Sequence, residues 1–112
     1  MWGTSPADAA AKLVDAGADV VGCNCGDGGP GRVPAILAEM RASTPAFLAA
    51  YPNAGIPKVV GDKTVYDLTP DAMAAAFPAI VAAGARIVGA CCGSTPAHIR
   101  KIAETVRGRR AA

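Results

Sequence analysis

TSPADAAAKLVDAGADVVGCNCG (Thr4–Gly26) returns later in the chain as LTPDAMAAAFPAIVAAGARIVGACCG (Leu68–Gly93). Each copy opens on a hydroxyl residue followed by proline, Ser5-Pro6 and Thr69-Pro70. A hydroxyl accepts from the first unpaired helix N–H groups, and proline suits the first turn, where its missing donor is not needed. Asp8, three residues after Ser5, completes a capping-box spacing. Each predicted helix stops at Ala-Gly, Ala16-Gly17 and Ala83-Gly84, where glycine can adopt the left-handed cap conformation. A short apolar strand follows, Asp19–Val21 or Arg86–Val88, and then Gly22 or Gly89.

Between the two copies lies a third unit: a predicted helix from Val33 to Ala42, a break at Thr44-Pro45 and a strand over Ala46–Ala50. YPNAGIPKVVGDKTVYDL (Tyr51–Leu68) is crowded with proline, glycine and asparagine and reads as a long loop. Pro78 falls inside the third helix and should kink it. A last helix begins at Thr95-Pro96. Short apolar strands alternating with helices indicate an α/β fold, a parallel sheet covered by helices.

Bulk properties exclude several classes. The 112 residues allow one domain with a modest core. A net charge of +2, with 18% charged residues, gives no field suited to nucleic acid or a membrane surface. The basic residues near the end (Arg100, Lys101, Arg107, Arg109, Arg110) read as a solvated helix face. No apolar run approaches the roughly 20 residues of a membrane helix. Met1-Trp2-Gly3 lacks the layout of a signal peptide, so a cytoplasmic location is expected. There, cysteines are reduced, metal-bound or catalytic more often than disulfide-linked.

Aligned on Gly22 and Gly89, the repeat sets Cys25 opposite Cys92 and Asn24 opposite Cys91, all just beyond the carboxyl end of a strand. In parallel α/β folds that rim binds ligands. Thiolates are soft anionic donors, and three of them suit a tetrahedral zinc whose fourth position stays open. Adjacent cysteines can serve one ion only where the backbone turns, and Gly89 and Gly93 permit a turn. Other readings stand beside this one. Cysteines also serve as small core residues, the better reading for Cys23, whose repeat partner is Ala90. A dithiol redox pair remains open, although such pairs are usually spaced C-x-x-C. His98, in the first turn of the last helix, reads as exposed or lightly capped rather than as a ligand. GDGGPG (Gly26–Gly31) matches neither dinucleotide nor P-loop spacing.

Taken together, GCNCG, YPNAGIP, VYDLTP and GACCGSTPAHI, in this order and spacing, resemble the C-terminal part of the homocysteine S-methyltransferase family, over nearly the whole chain. The resemblance implies a (β/α)8 TIM barrel of which residues 1–112 are the C-terminal portion, about three parallel strands with flanking helices. It implies a catalytic Zn2+ held by Cys25, after Asn24, and by Cys91 with Cys92. The family usually reads G-G-C-C-G-T where this chain has Gly89-Ala90-Cys91-Cys92-Gly93-Ser94; Ala90 adds a methyl group and Ser94 keeps a hydroxyl. Homocysteine, or a similar small thiol, would be activated as thiolate for methyl transfer to give methionine. The donor stays open among a methyl-corrinoid or folate, betaine and S-methylmethionine. Asn53 either holds the polar end of the substrate or serves an ordinary turn.

By the same resemblance, Met1-Trp2-Gly3-Thr4 falls just beyond the fifth strand of the barrel. The preceding strands would carry the rest of the pocket, including acidic residues for the substrate amino group. Three parallel strands leave open edges and a bare face, so self-association or a complementary barrel chain is expected. The competing expectation is a non-catalytic zinc-binding remnant or module of the same fold.

Overall fold

The repeat folds as two helix–strand units whose caps match. The computed structural model describes residues 4–24, 29–55 and 57–110. Helix α1 (Pro6–Asp15) is capped by Ser5, whose side chain accepts from the Asp8 N–H at 3.1 Å. Helix α3 (Pro70–Ala74) is capped in the same way by Thr69 and the Ala72 N–H at 3.2 Å. The glycines that end the two helical units, Gly17 and Gly84, have φ of 113° and 119°, so a side chain at either would be strained.

Chain order continues from α1 through β1 (Val20–Asn24), a 3-10 turn (Pro30–Arg32), α2 (Val33–Ser43) and β2 (Phe47–Tyr51). After the hairpin β3 (Pro57–Val60) and β4 (Lys63–Tyr66) come α3, α4 (Phe77–Ala82), β5 (Ala85–Val88) and α5 (Pro96–Arg110). Strands β1, β2 and β5 form one parallel sheet in that order. The expected α/β fold with a three-stranded parallel sheet is therefore present.

Three local differences from the sequence reading have physical causes. Strand β1 runs on through Gly22-Cys23-Asn24, because all three pair with Ala49, Ala50 and Tyr51 of β2; neighbouring backbone overrides the poor strand propensity of glycine and asparagine. The third helix is broken rather than merely kinked. Pro78 has no N–H for the Ala74 carbonyl, so α3 stops at Ala74 and α4 restarts at Phe77. The segment read as a loop contains the antiparallel β3–β4 hairpin, which pairs Val59 with Thr64 and Val60 with Lys63 around Gly61-Asp62. Gly61, at φ 64°, supplies the positive φ that a tight hairpin turn requires.

One face of the parallel sheet meets the helices. Val21 of β1, Leu48 and Ala50 of β2 and Ala85 of β5 are buried against Ala10, Leu37, Met40, Met73, Phe77, Ile80 and Ile102. On the other face Val20, Phe47, Tyr51 and Ile87 stand 38–60% exposed, and Phe47 is the most open. The thinnest extent, 19 Å, matches one helix layer on one sheet, each about 10 Å thick.

Phe77 is fully buried at the start of α4, between the sheet and the other helices. Phe77→Ala should lower the unfolding free energy by about 3–5 kcal/mol, measurable as a fall in the urea midpoint at unchanged slope.

Candidate functional site at the carboxyl rim of the sheet

Strand β5 ends at Val88, level with Ala50 of β2, and the two segments continue past the strand ends side by side. The Gly89 N–H donates to the Ala50 carbonyl at 3.0 Å, and the Cys91 N–H to the Pro52 carbonyl at 2.8 Å. The Cys92 N–H donates to Asn53 Oδ1 at 3.1 Å. In return the Ala54 N–H donates to the Cys92 carbonyl at 2.9 Å. The parallel ladder thus outlasts the strands and ties the cysteine pair to the β2 exit.

Cys91, Cys92, Gly93 and Ser94 then form a β-turn, closed by the Ser94 N–H on the Cys91 carbonyl at 3.2 Å. Gly93, at φ 81°, sits where a type II turn requires positive φ. A Cβ there would also land 2.1 Å from Cγ of Tyr66, so the aromatic ring of β4 lies against the glycine. Gly89 is equally confined: its Cβ would come within 2.6 Å of the Tyr51 ring. Gly22, its counterpart in β1, has Ala49 backbone in that place.

The turn sets the Cys91 and Cys92 sulfurs 3.9 Å apart. Two thiolates on a tetrahedral zinc, each about 2.3 Å from the metal, stand about 3.8 Å from one another. The pair is therefore spaced as two corners of such a site require. Cys92 is exposed and Cys91 partly so. Cys25, the third expected ligand, lies outside the described residues. Among the described residues no three His, Cys, Asp or Glu side chains gather closely enough to hold a metal ion. Asn24 ends β1 level with Tyr51 of β2, so the chain leaves β1 at the same rim, about 10 Å from β5 across one intervening strand.

Cys23 points elsewhere. It packs against the buried core, and that burial pushes its thiol above the usual range. Asn53 is 5% exposed, with its side-chain oxygen on Cys92. His98 corrects the sequence reading in one respect: it is capped, but it is 6% exposed and not at the surface. Its Nε2 lies 2.8 Å from the Leu68 carbonyl, a partner that sequence spacing does not reveal. Tyr66 was also missed; the alternation in the hairpin around Gly61-Asp62 was its only signal.

The homocysteine S-methyltransferase family profile matches residues 1–106. The chain belongs to that family. Its similarity extends to methionine synthase of Mycobacterium tuberculosis (strain ATCC 25618 / H37Rv), 37% identical over 91 residues. That match takes in 80% of this chain and 8% of the relative. Methionine synthase of Mycobacterium leprae (strain TN) is 34% identical over 107 residues, 95% of this chain and 9% of the relative. This homocysteine S-methyltransferase family member thus spans less than a tenth of the length of either relative. The matched residues include the Cys91–Cys92 turn and the β2 exit that holds it.

Gly93→Ala should destabilise the chain by more than the roughly 1–2 kcal/mol that a left-handed conformation costs an L-residue, because the methyl group must also displace the Tyr66 ring. Urea unfolding measures the loss, and a change in near-ultraviolet tyrosine dichroism should accompany it.

Proposed function

We propose that this chain is the metal-bearing C-terminal portion of a homocysteine S-methyltransferase (β/α)8 barrel, with Cys25, Cys91 and Cys92 as zinc ligands. The observation that carries the reading is the 3.9 Å spacing of two sulfurs on a glycine-dependent turn at the sheet's carboxyl rim. Family membership makes homocysteine the acceptor of choice. Methionine synthase relatives favour methionine as the product.

Bound to these thiolates, zinc would lower the pKa of an incoming thiol and so supply thiolate at neutral pH. The remaining tasks fall to the chain. Cys25, Cys91 and Cys92 together bring more negative charge than a dication carries, which keeps an added sulfur donor electron-rich. The Pro52–Ala54 segment holds the pair rigid, so no reorganisation of the turn is needed when substrate arrives. Asn53, beside Cys92, is assigned the edge of the pocket that receives the polar end of the substrate. Among the described residues no helix is long and apolar enough to cross a membrane.

Metal content tests the ligand set. Replacing Cys25, Cys91 or Cys92 singly with serine should remove most bound zinc, measured by elemental analysis after dialysis. Cys23→Ser should leave it unchanged, because that thiol packs into the core. Equal loss in all four variants would indicate a closed structural site instead.

The bare sheet face bears on turnover. Val20, Phe47, Tyr51 and Ile87 line the side that a barrel would close, and β1 and β5 are both edge strands. Residues 1–112 assayed by themselves should self-associate with rising concentration in sedimentation velocity runs. Their methionine formation from homocysteine, with betaine, S-methylmethionine or a methyl-corrinoid as donor, should stay near background. Holding both reactants in line is worth about 7–11 kcal/mol of barrier, and a one-sided sheet cannot supply it. Robust turnover by a monomer would overturn the barrel reading.

A further inference from the structure

His98 is the third residue of α5, and both of its ring nitrogens are engaged. Nε2 lies 2.8 Å from the Leu68 carbonyl. A carbonyl only accepts, so Nε2 carries the hydrogen and Nδ1 is left as an acceptor. Nδ1 receives the Thr95 N–H at 3.1 Å and stands 2.9 Å from the Thr95 hydroxyl. The histidine thus does at the third helical position what glutamate does in a capping box. Its other nitrogen reaches a different part of the chain.

From Leu68 the connection continues. The Leu68 N–H donates to the Ala54 carbonyl at 3.2 Å, and the Ala54 N–H donates to the Cys92 carbonyl at 2.9 Å. Thr95 is joined to Cys92 through Gly93 and Ser94. The path is closed: Cys92, Thr95, His98, Leu68, Ala54 and back to Cys92. The imidazole is the only side chain whose atoms carry that circuit; every other link is backbone. It joins the α5 cap, the hairpin exit and the β2 exit around the turn that bears the thiol pair.

We propose that His98 is a positioning residue for the Cys91–Cys92 pair, closing a ring of hydrogen bonds that holds Cys92 in its metal-binding geometry. The proposal rests on the reading of that pair as a metal site. His98 touches neither metal nor substrate; it acts through Leu68, Ala54 and the turn. Loss of the imidazole frees the Leu68 carbonyl and the Thr95 N–H at once. The Cys92 carbonyl then keeps its Ala54 partner, but that partner is no longer anchored from behind.

Cobalt(II) added to the metal-free chain is the probe, read by its thiolate-to-metal absorption and visible bands. Removing a supporting partner of a metal ligand typically costs about 10–100-fold in affinity, and His98→Ala should fall in that range. His98→Gln keeps a donor towards Leu68, and His98→Asn keeps an acceptor for Thr95. Each should bind cobalt more tightly than His98→Ala and less tightly than the wild type, and these two decide the matter if the alanine variant does not fold. Urea unfolding is run on every variant. A stability loss with unchanged cobalt affinity and bands would make His98 merely structural and overturn the proposal. Nitrogen-15 spectra of the wild-type imidazole should show the Nε2–H tautomer; the Nδ1–H form would overturn it as well. Cobalt bands that survive Cys92→Ser would instead refute the metal reading. In that event amide exchange in the metal-free chain judges the ring alone. Ala54 and Leu68 should exchange at least tenfold faster in His98→Ala and by a smaller factor in His98→Gln, which keeps a donor towards Leu68; unchanged protection in either would refute the ring.

Discussion

The pairing of β2 with β5 does not stop where the strands stop, and the site depends on that continuation. Past Val88 the chain leaves the strand, yet the Gly89 N–H still finds Ala50 of β2, and Cys91 and Cys92 find Pro52 and Asn53 on the segment leaving it. Backbone hydrogen bonds left unmade at such a rim would cost free energy wherever water is excluded. Here they are satisfied by a neighbour that is itself pinned between two strands. Rigidity of the thiol pair thus begins in the sheet and is carried outward by the Pro52–Ala54 segment, which accepts from Cys91 and Cys92 and donates back to Cys92.

Glycine placement serves this arrangement from two directions. Gly22 and Gly89 have no room for a side chain, being pressed against Ala49 backbone and the Tyr51 ring. Gly93 has the positive φ of a type II turn and the Tyr66 ring against its Cα. The hairpin β3–β4 is thereby more than a surface excursion. Its strands expose Val59, Val60 and Val65 to solvent, while Tyr66 closes on the turn and the Lys58–Asp67 ion pair, at 2.8 Å, spans its base. That pair raises the Lys58 pKa and lowers that of Asp67, mainly through their hydrogen bond. Both groups are open to water, so its role is orientation rather than stability.

Family membership and the half-covered sheet point the same way. Among the described residues the helices cover only one side of this parallel sheet, which is unusual, since parallel strands are normally buried on both faces. In the proposed barrel the exposed apolar row of Val20, Phe47, Tyr51 and Ile87 would face the interior. The thiol turn lies at the carboxyl rim, the end where barrel enzymes keep their chemistry.

The amino-acid sequence alone determined the helix–strand repeat, because caps, terminal glycines and apolar runs are local features with local energies. Ser5, Thr69, Gly17 and Gly84 act as their types dictate. The Cys-Cys-Gly-Ser turn was legible for the same reason, as glycine marks the position that needs positive φ. The hairpin was legible in principle from the alternation around Gly61-Asp62, but its prolines and glycines obscured it. Tertiary structure decided the rest. Asn53 meets Cys92 across 39 positions, and His98 meets Leu68 across 30. Such partners are set by strand register, and register here shifts between Leu48 and Ala49, where Arg86 is passed over opposite β2. A one-residue slip in pairing redirects every group beyond it, and no local pattern records which register packing will choose.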